Sequence, residues 1–176
     1  MTTFARRMLG ATTLNVATFE EVEADRTGTG QAMTVVILSA LGAGIGARGF
    51  GAQLSQLPAI TVIALMAWAA WALLTYEIGA KLLPGTNTRV DVYELLRTIG
   101  FASAPGMLRV IGVVPALTRP IFFVTAVWML LAMIVAVRQA LDYTSTARAV
   151  AVCAIGWALT LAIILMLGLF VMPELS

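Results

Sequence analysis

Five apolar runs divide most of the chain into segments of similar length. They cover Gln31–Arg48, Leu57–Gly79, Leu95–Ala116, Pro120–Leu141 and Ala147–Met172. A helix needs about 20 mostly apolar residues to cross the hydrocarbon of a bilayer, so each run predicts a membrane-spanning helix. We therefore expect an all-α integral membrane protein with five transmembrane helices. An N-terminal segment (1–30) precedes the membrane domain (31–172), and a short tail (173–176) follows it.

The third run differs from the others because it contains residues that interrupt a helix. Ala104-Pro105-Gly106 lies in its middle, and Arg109 follows one turn later. Pro105 cannot donate a backbone hydrogen bond to the carbonyl of Phe101, and its ring pushes against that carbonyl. A helical side chain leans toward the N-terminus of its own helix, so Arg109 is expected to lean toward Pro105 and the bilayer centre. The pattern predicts a kinked or broken third helix with a polar site at these residues.

Three interpretations of Arg109 are open from the sequence. The guanidinium either satisfies carbonyl groups that Pro105 leaves free, or holds a lipid phosphate or another polar ligand, or reaches the outer interface past a bend at Pro105-Gly106. An ion pair within the chain is not expected, because no acidic residue lies in the apolar runs near this depth.

The composition supports a membrane protein and removes several kinds of chemistry. Hydrophobic residues make up 60% of the chain and charged residues 11%, whereas soluble domains carry about 25% charged residues. The chain has no histidine and a single cysteine, Cys153, so imidazole chemistry and intramolecular disulfides are excluded. A net charge of +2 without a basic run gives no reason to expect nucleic-acid binding.

The basic residues predict the orientation in the membrane. Most of the 11 lie on the side of the predicted N-terminal segment: Arg6, Arg7, Arg26, Lys81, Arg89, Arg97, Arg138 and Arg148. Only Arg48 and Arg119 lie on the opposite side. Because positive charge favours the cytoplasmic side, we expect the N-terminus inside and the C-terminus outside.

The predicted cytoplasmic face carries acids as well as bases. Glu77 with Lys81 and Arg138 with Asp142 are each four residues apart, which allows local ion pairs. The face is therefore expected either to neutralise itself or to bind a protein partner. Its candidate contact residues are Phe19, Glu20, Glu21, Glu77, Arg97, Arg138 and Asp142.

A short amphipathic helix is expected before the first span. Thr18-Phe19-Glu20-Glu21 has the capping-box pattern, which predicts a helix that begins there and runs through Ala24. Glycines at 28 and 30 are expected to end it. Phe19 and Val22 share one face, so this helix either rests on the membrane or a partner, or is simply solvated.

Small residues in the first run predict close helix packing. Gly42 and Gly46 form a GxxxG pair, and Ala40 with Gly44 forms a second pair of the same spacing. Such pairs let two backbones approach closely, either within one chain or between two chains. The tryptophans lie inside apolar runs and are expected to pack between helices: Trp68, Trp71, Trp128 and Trp157.

No constellation of catalytic side chains is visible. The sequence offers no general base for Ser39 or Ser103. Glu77, the acid nearest to a predicted span, lies at the end of that span. Intramembrane hydrolysis and ion-coupled transport both usually need acidic or histidine side chains at mid-membrane. We therefore expect a protein that is not an enzyme and binds no cofactor.

Several motifs, in order and spacing, resemble the Ypt-interacting-protein (Yip) domain family, specifically its bacterial branch. They are Thr75-Tyr76-Glu77-Ile78-Gly79, Tyr93 through Ala102, Ala104-Pro105-Gly106, Val127-Trp128, Val137-Arg138-Gln139-Ala140 and Thr144 through Ala149. The resemblance implies a five-span helical protein with a cytoplasmic N-terminus, here in a bacterial cytoplasmic membrane. The Rab-binding role of the eukaryotic members is not carried over.

Two functions follow from these observations. The first is an accessory subunit or assembly factor of a membrane complex, with a membrane-protein partner or a second copy of the chain. The alternative is a small transporter or lipid-handling protein that uses the region of Pro105 and Arg109 as its polar site. Membrane lipids are expected partners in both.

Overall fold

The computed structural model describes residues 3–84 and 91–171, and within these ranges every regular element is helical. The α-helices are α1 (Thr3–Thr12), α2 (Val16–Ala24), α3 (Thr29–Gly46), α4 (Leu57–Tyr76), α5 (Val92–Ala102), α6 (Pro115–Ala140) and α7 (Thr146–Val171). Tighter 3₁₀ turns cover Arg26–Gly28, Ala47–Phe50 and Leu54–Gln56, and a π-helical turn covers Glu77–Leu82. A longer 3₁₀ segment, Ala104–Val113, joins α5 to α6.

Three helical stretches in the described part of the chain are long and apolar enough to cross a membrane. They are Arg26–Phe50, Leu54–Leu82 and Pro115–Ala140, which correspond to the first, second and fourth predicted spans. The fifth predicted run forms α7. An all-helical membrane protein is therefore confirmed, whereas the count of five spans and the orientation stay predictions. Arg89, Met172 and the predicted tail lie outside the described residues.

The third predicted span is interrupted where the sequence places its helix-breaking residues. Helix α5 ends at Ala102, and the 3₁₀ segment begins at Ala104, one residue before Pro105. The 11 residues of α5 extend about 16 Å and the 10 residues of the 3₁₀ segment about 20 Å. Together they are long enough to cross a hydrocarbon layer of about 30 Å.

The N-terminal segment differs most from its prediction. Helix α1 was not expected, and α2 begins at Val16 after Asn15, so Thr18 is not its cap. Phe19 is fully buried, and α2 packs against α5 and α6. The prediction of a solvated or partner-bound face was wrong for Phe19, because this ring fills the core of its own chain.

A buried arginine holds α1 against the chain that follows it. Arg7 donates from Nε to Glu21 at 2.9 Å, contacts Asp25 at 2.7 Å and donates from Nη1 to Gln31 at 3.2 Å. Hydrogen bonds from Thr27, together with that from Arg7, lower the pKa of Asp25 to about 2. This network fixes the short 3₁₀ turn Arg26–Gly28, so α3 begins almost directly after α2.

Candidate functional site

The glycines of α3 let the 3₁₀ segment approach its backbone closely. A Cβ atom at Gly42 would lie 2.9 Å from the carbonyl oxygen of Met107. At Gly46 it would overlap the carbonyl oxygen of Arg109. The first small-residue pair therefore serves a contact within the chain, between α3 and the broken third segment.

The second small-residue pair faces in other directions. A Cβ at Gly44 would lie 2.5 Å from Thr61 Oγ1 and 3.3 Å from the Leu57 carbonyl oxygen, so Gly44 packs against α4. Ala40 is buried and lines a small internal cavity. Helix α3 thus touches α4 and the 3₁₀ segment through different glycines, which places these two elements on either side of it.

Backbone groups around the break are bonded locally. The amide of Ser103 donates to Gly100 and that of Gly106 donates to Ser103, each within one turn. Thr118 on α6 donates its hydroxyl to the carbonyl of Gly112 at 2.8 Å. The ring of Phe101 packs edge-on against Phe4, with 6.4 Å between centroids.

Arg109 is anchored to the side of α6. Its Nε donates to Thr125 Oγ1 at 3.2 Å, and its guanidinium lies 5.4 Å from the centre of the Phe122 ring. Thr125 follows Pro115, the start of α6, by ten residues, or about 15 Å. The interpretation in which Arg109 satisfies the Phe101 carbonyl is wrong, because among the described residues no bond joins the two and the Ser103 amide donates to that carbonyl. Both contacts of the guanidinium hold it against the side of α6, which disfavours the outward-reaching interpretation.

A cavity of about 250 Å³ lies beside Arg109, between α4, α6 and α7. Trp68, Trp71, Trp157, Thr160 and Met129 line it with Arg109. A smaller cavity of about 50 Å³ adjoins it, lined by Ser39 and Ser103 as well as by Arg109 and Trp68. The guanidinium therefore borders two cavities, one apolar and aromatic, the other bearing two hydroxyl groups.

Hydrogen-bond donors at this place outnumber their acceptors. A guanidinium has five N–H donors. In the described part of the chain only the Nε of Arg109 has an acceptor, and no acidic residue lines either cavity. The buried indole nitrogens of Trp68 and Trp71 likewise have no acceptor among the described residues. The arrangement is suited to a ligand that brings negative charge and acceptor oxygens.

A comparison with protein-family models matches the Yip1 domain over residues 12–171. The chain belongs to the Yip1 domain family. No curated protein and no solved structure gave a match. The match covers the N-terminal turn, the break and all the residues around Arg109, so the candidate site of this Yip1-domain protein lies within the family domain.

Arg97 of the Yip1-domain protein does not lie on an exposed face as predicted. It is 2% exposed and donates to the carbonyls of Val22 at 3.3 Å and Glu23 at 2.7 Å. These carbonyls belong to the last turn of α2, whose backbone acceptors have no partner within the helix. Arg97 therefore holds α2 on α5.

The other residues of the predicted partner face divide into paired and exposed groups. Glu77 pairs with Lys81 at 2.6 Å, as the spacing predicted, and Glu21 pairs with Arg6 and Arg7. Arg138 donates to the carbonyl of Tyr143 at 3.4 Å and makes no ion pair with Asp142 among the described residues. Arg138 and Asp142 are exposed and available to a partner, and Glu20 is exposed but accepts a bond from Gln139 Nε2 at 3.0 Å.

Sequence reasoning missed the partners of Arg109. Thr118 and Thr125 are seven residues apart on α6, and both bond to the 3₁₀ segment. Hydroxyl groups at this spacing within an apolar run share one helix face, which was the available signal.

Trp157 also differs from its expectation, because it is 50% exposed and not enclosed between helices.

Glu23 gives the N-terminal side of the protein a pH-dependent stability. Burial, followed by the nearby charges of Asp142, Glu94 and Glu20, raises its pKa from 4.5 to about 7. The folded protein then holds a proton more tightly than the unfolded chain, so the free energy of unfolding falls as pH rises from about 4.5 to 7.

We expect Glu23→Gln to stabilise the protein at pH 8 by about 1 to 2 kcal/mol, allowing for solvent screening of a half-buried group. At pH 4.5 the variant and the wild type should unfold at nearly the same temperature. Thermal unfolding in detergent, followed by tryptophan fluorescence at both pH values, measures this. A gain of equal size at both pH values would contradict the assignment to ionised Glu23.

Proposed function

We propose that this Yip1-domain protein is a non-enzymatic, lipid-handling membrane protein that binds an amphiphile with an anionic headgroup beside Arg109. The observation that carries the proposal is a guanidinium at mid-depth of α6 whose only acceptor among the described residues is the neutral hydroxyl of Thr125. This favours the lipid-handling alternative over the accessory-subunit hypothesis, because two residues of the predicted partner face, Phe19 and Arg97, are used within the chain.

The charge of Arg109 needs interactions that compensate the cost of placing it within the membrane. A charged arginine at the centre of a bilayer costs about 2.5 to 3.5 kcal/mol even on the most lenient scale. One neutral hydroxyl and the face of the Phe122 ring offset part of this cost. A phosphate or carboxylate accepts two parallel bonds from a guanidinium, and these offset the cost of burying the charge far better than the hydroxyl and the ring do.

The shape of the site suits an amphiphile. Trp157 is 50% exposed, so the larger cavity is open toward the surroundings of the helix bundle. Alanine, methionine and leucine side chains form the walls between this opening and Arg109: Ala64, Ala67, Ala126, Met129, Leu130 and Met133. An acidic headgroup would bind at Arg109 while its aliphatic part lies along these walls.

The proposal includes the membrane topology. A five-span arrangement with the N-terminus in the cytoplasm of a bacterial cell is supported by the basic residues on that side and by the combined length of α5 and the 3₁₀ segment. In this arrangement α6 runs inward from Arg119 to Arg138, and Arg109 contacts it at Thr125, between these two charged residues.

The decisive experiment compares Arg109→Gln with Arg119→Gln, the same change at an exposed residue of α6. We expect the purified wild type to retain phosphatidylglycerol over phosphatidylcholine in native mass spectra. Arg109→Gln should lower retention of the anionic lipid at least tenfold, because the charged contact is lost, and Arg119→Gln should leave it unchanged.

Two results would contradict the proposal. One is equal retention of phosphatidylglycerol by Arg109→Gln and the wild type. The other is equal retention of the anionic and zwitterionic lipids by the wild type. Tryptophan fluorescence during lipid titration gives a second measurement, because Trp68, Trp71 and Trp157 line the cavity.

The role of accessory subunit is supported by one observation. Glu20, Glu94 and Asp142 lie close enough to Glu23 to raise its pKa, so the N-terminal side bears a group of carboxylates that suits a basic partner segment. A second protein at fixed stoichiometry in the same native mass spectra would favour this role over lipid handling.

A further inference from the structure

We propose that helices α1 and α2 form a re-entrant hairpin whose tip lies in the hydrocarbon among the acyl chains of the leaflet on the N-terminal side. The tip is defined as Thr12–Val16, the turn between the two helices. This replaces the expectation that residues 1–30 lie wholly in the cytoplasm, and it is independent of the Arg109 site.

The position of the tip along α6 gives its depth. Trp128 donates from Nε1 to the Thr12 carbonyl at 2.7 Å, and Leu14 shares an apolar groove with Phe123, Val127 and Trp128. Trp128 lies ten residues before Arg138, the charged residue near the end of α6, a distance of about 15 Å along the helix. A hydrocarbon layer is about 30 Å thick, so the tip reaches its middle.

The charges of the hairpin lie at its open end. The 12 residues from Met8 to Phe19 contain no charged side chain. Arg6 and Arg7 come before this stretch and pair with Glu21, which comes after it. These ion pairs join the two helices at the end away from the tip, as expected for an element that enters from one side of the membrane and returns to it.

The last four carbonyl groups of α1 all have donors. Those of Leu9, Gly10 and Ala11 accept backbone bonds from Thr13, Asn15 and Leu14 respectively. Leu14 adopts a left-handed conformation (φ 60°), which closes the helix end in a Schellman arrangement. The Thr12 carbonyl accepts the bond from Trp128.

There is a physical reason for the carbonyl groups at the end of α1 to be hydrogen-bonded within the protein. In water such carbonyl groups would be hydrated, but in hydrocarbon each needs a partner from the protein. The hydroxyls of Thr12 and Thr13 also bond back to carbonyls of α1. The C-terminal end of α1 thus has the internal bonds that a helix end inside a membrane needs.

Acyl chains are the occupants that fit the outer surface of the hairpin. Leu9 is 55% exposed and Val16 44% exposed on either side of the tip. The groove that Leu14 lines continues along α6 through Phe123, Val124 and Leu131, which are also exposed. Because α6 is long and apolar enough to span the membrane, its exposed face at this depth is in contact with lipid, and the tip lies on that face.

Cysteine accessibility tests the inference with a matched pair on α2. Ala17 and Ala24 are both exposed alanines, seven residues or about 10 Å apart, near opposite ends of this helix. Each is replaced by cysteine in a Cys153→Ala background and reconstituted into permeabilised phosphatidylcholine–phosphatidylglycerol vesicles. A charged maleimide is expected to label Ala24→Cys at least tenfold faster than Ala17→Cys. Both should label equally after denaturation in sodium dodecyl sulfate.

A nitroxide on the same two cysteines identifies what surrounds the tip. At Ala17→Cys we expect collisions with oxygen, which dissolves in hydrocarbon, to exceed those with a water-soluble nickel chelate, and the reverse at Ala24→Cys. Equal maleimide labelling at both positions would overturn the proposal. So would an Ala17→Cys nitroxide shielded from both oxygen and nickel, because the tip would then be covered by protein.

Discussion

Replacing Gly46 by alanine is expected to lower the free energy of unfolding by about 1 to 3 kcal/mol, although alanine is the better helix former. The added methyl group would overlap the backbone carbonyl of Arg109, and a backbone atom cannot turn aside as a flexible side chain can. The 3₁₀ segment must therefore move away from α3. Thermal unfolding in detergent, followed by tryptophan fluorescence, measures the loss.

Gly30→Ala is the matched control because it makes the same change in the same helix. No atom lies within 4 Å of a Cβ at Gly30, so only the conformational preference of alanine acts there. This variant should be as stable as the wild type, or more stable by up to about 1 kcal/mol. If Gly46→Ala were no less stable than Gly30→Ala, the close contact between α3 and the 3₁₀ segment would be contradicted.

Replacing Arg97 by methionine is expected to cost about 2 to 4 kcal/mol, through the loss of two charge-assisted hydrogen bonds. The carbonyls of Val22 and Glu23 would keep their buried positions but lose their donor. Since Arg97 connects α5 to the end of α2, the hairpin should detach before the membrane helices unfold. Hydrogen exchange of the α2 amides, compared with those of α6, measures this local opening.

Arg138→Met serves as the control for this prediction. Arg138 is exposed and makes a single long bond, 3.4 Å, to the carbonyl of Tyr143. Its replacement should change the unfolding temperature little, because exposed interactions contribute about 0 to 1 kcal/mol. If Arg138→Met were destabilised as much as Arg97→Met, the effect would come from removing any basic residue on this side. The loss of the α2 contact would then not explain it.

The membrane helices could be predicted from the sequence because one physical rule governs them. Hydrocarbon requires long apolar runs with their backbone bonds satisfied internally, and three of the five runs meet this rule in continuous helices. The break after Ala102 followed from the chemistry of Pro105 and Gly106. The form of the chain beyond it did not, because a 3₁₀ helix of 10 residues depends on the glycine face of α3.

The candidate site and the N-terminal helices were harder to predict, because their contacts join residues that are far apart in the sequence. The bond from Arg109 to Thr125 joins residues 16 positions apart, and that from Arg97 to Glu23 residues 74 apart. Periodicity reports only which residues share a face of one helix. The hydroxyls of Thr12 and Thr13 bond to carbonyls of their own helix, which only the folded turn shows.

The bond between Thr12 and Trp128 imposes an order on the biosynthesis of the protein. Its two residues are 116 positions apart, so at about 5 to 20 residues per second the hairpin leaves the ribosome roughly 6 to 23 seconds before its binding face on α6. In that interval its apolar tip has no helix to pack against. The hairpin therefore takes its final place only after the sixth helix, which is translated later, has been inserted.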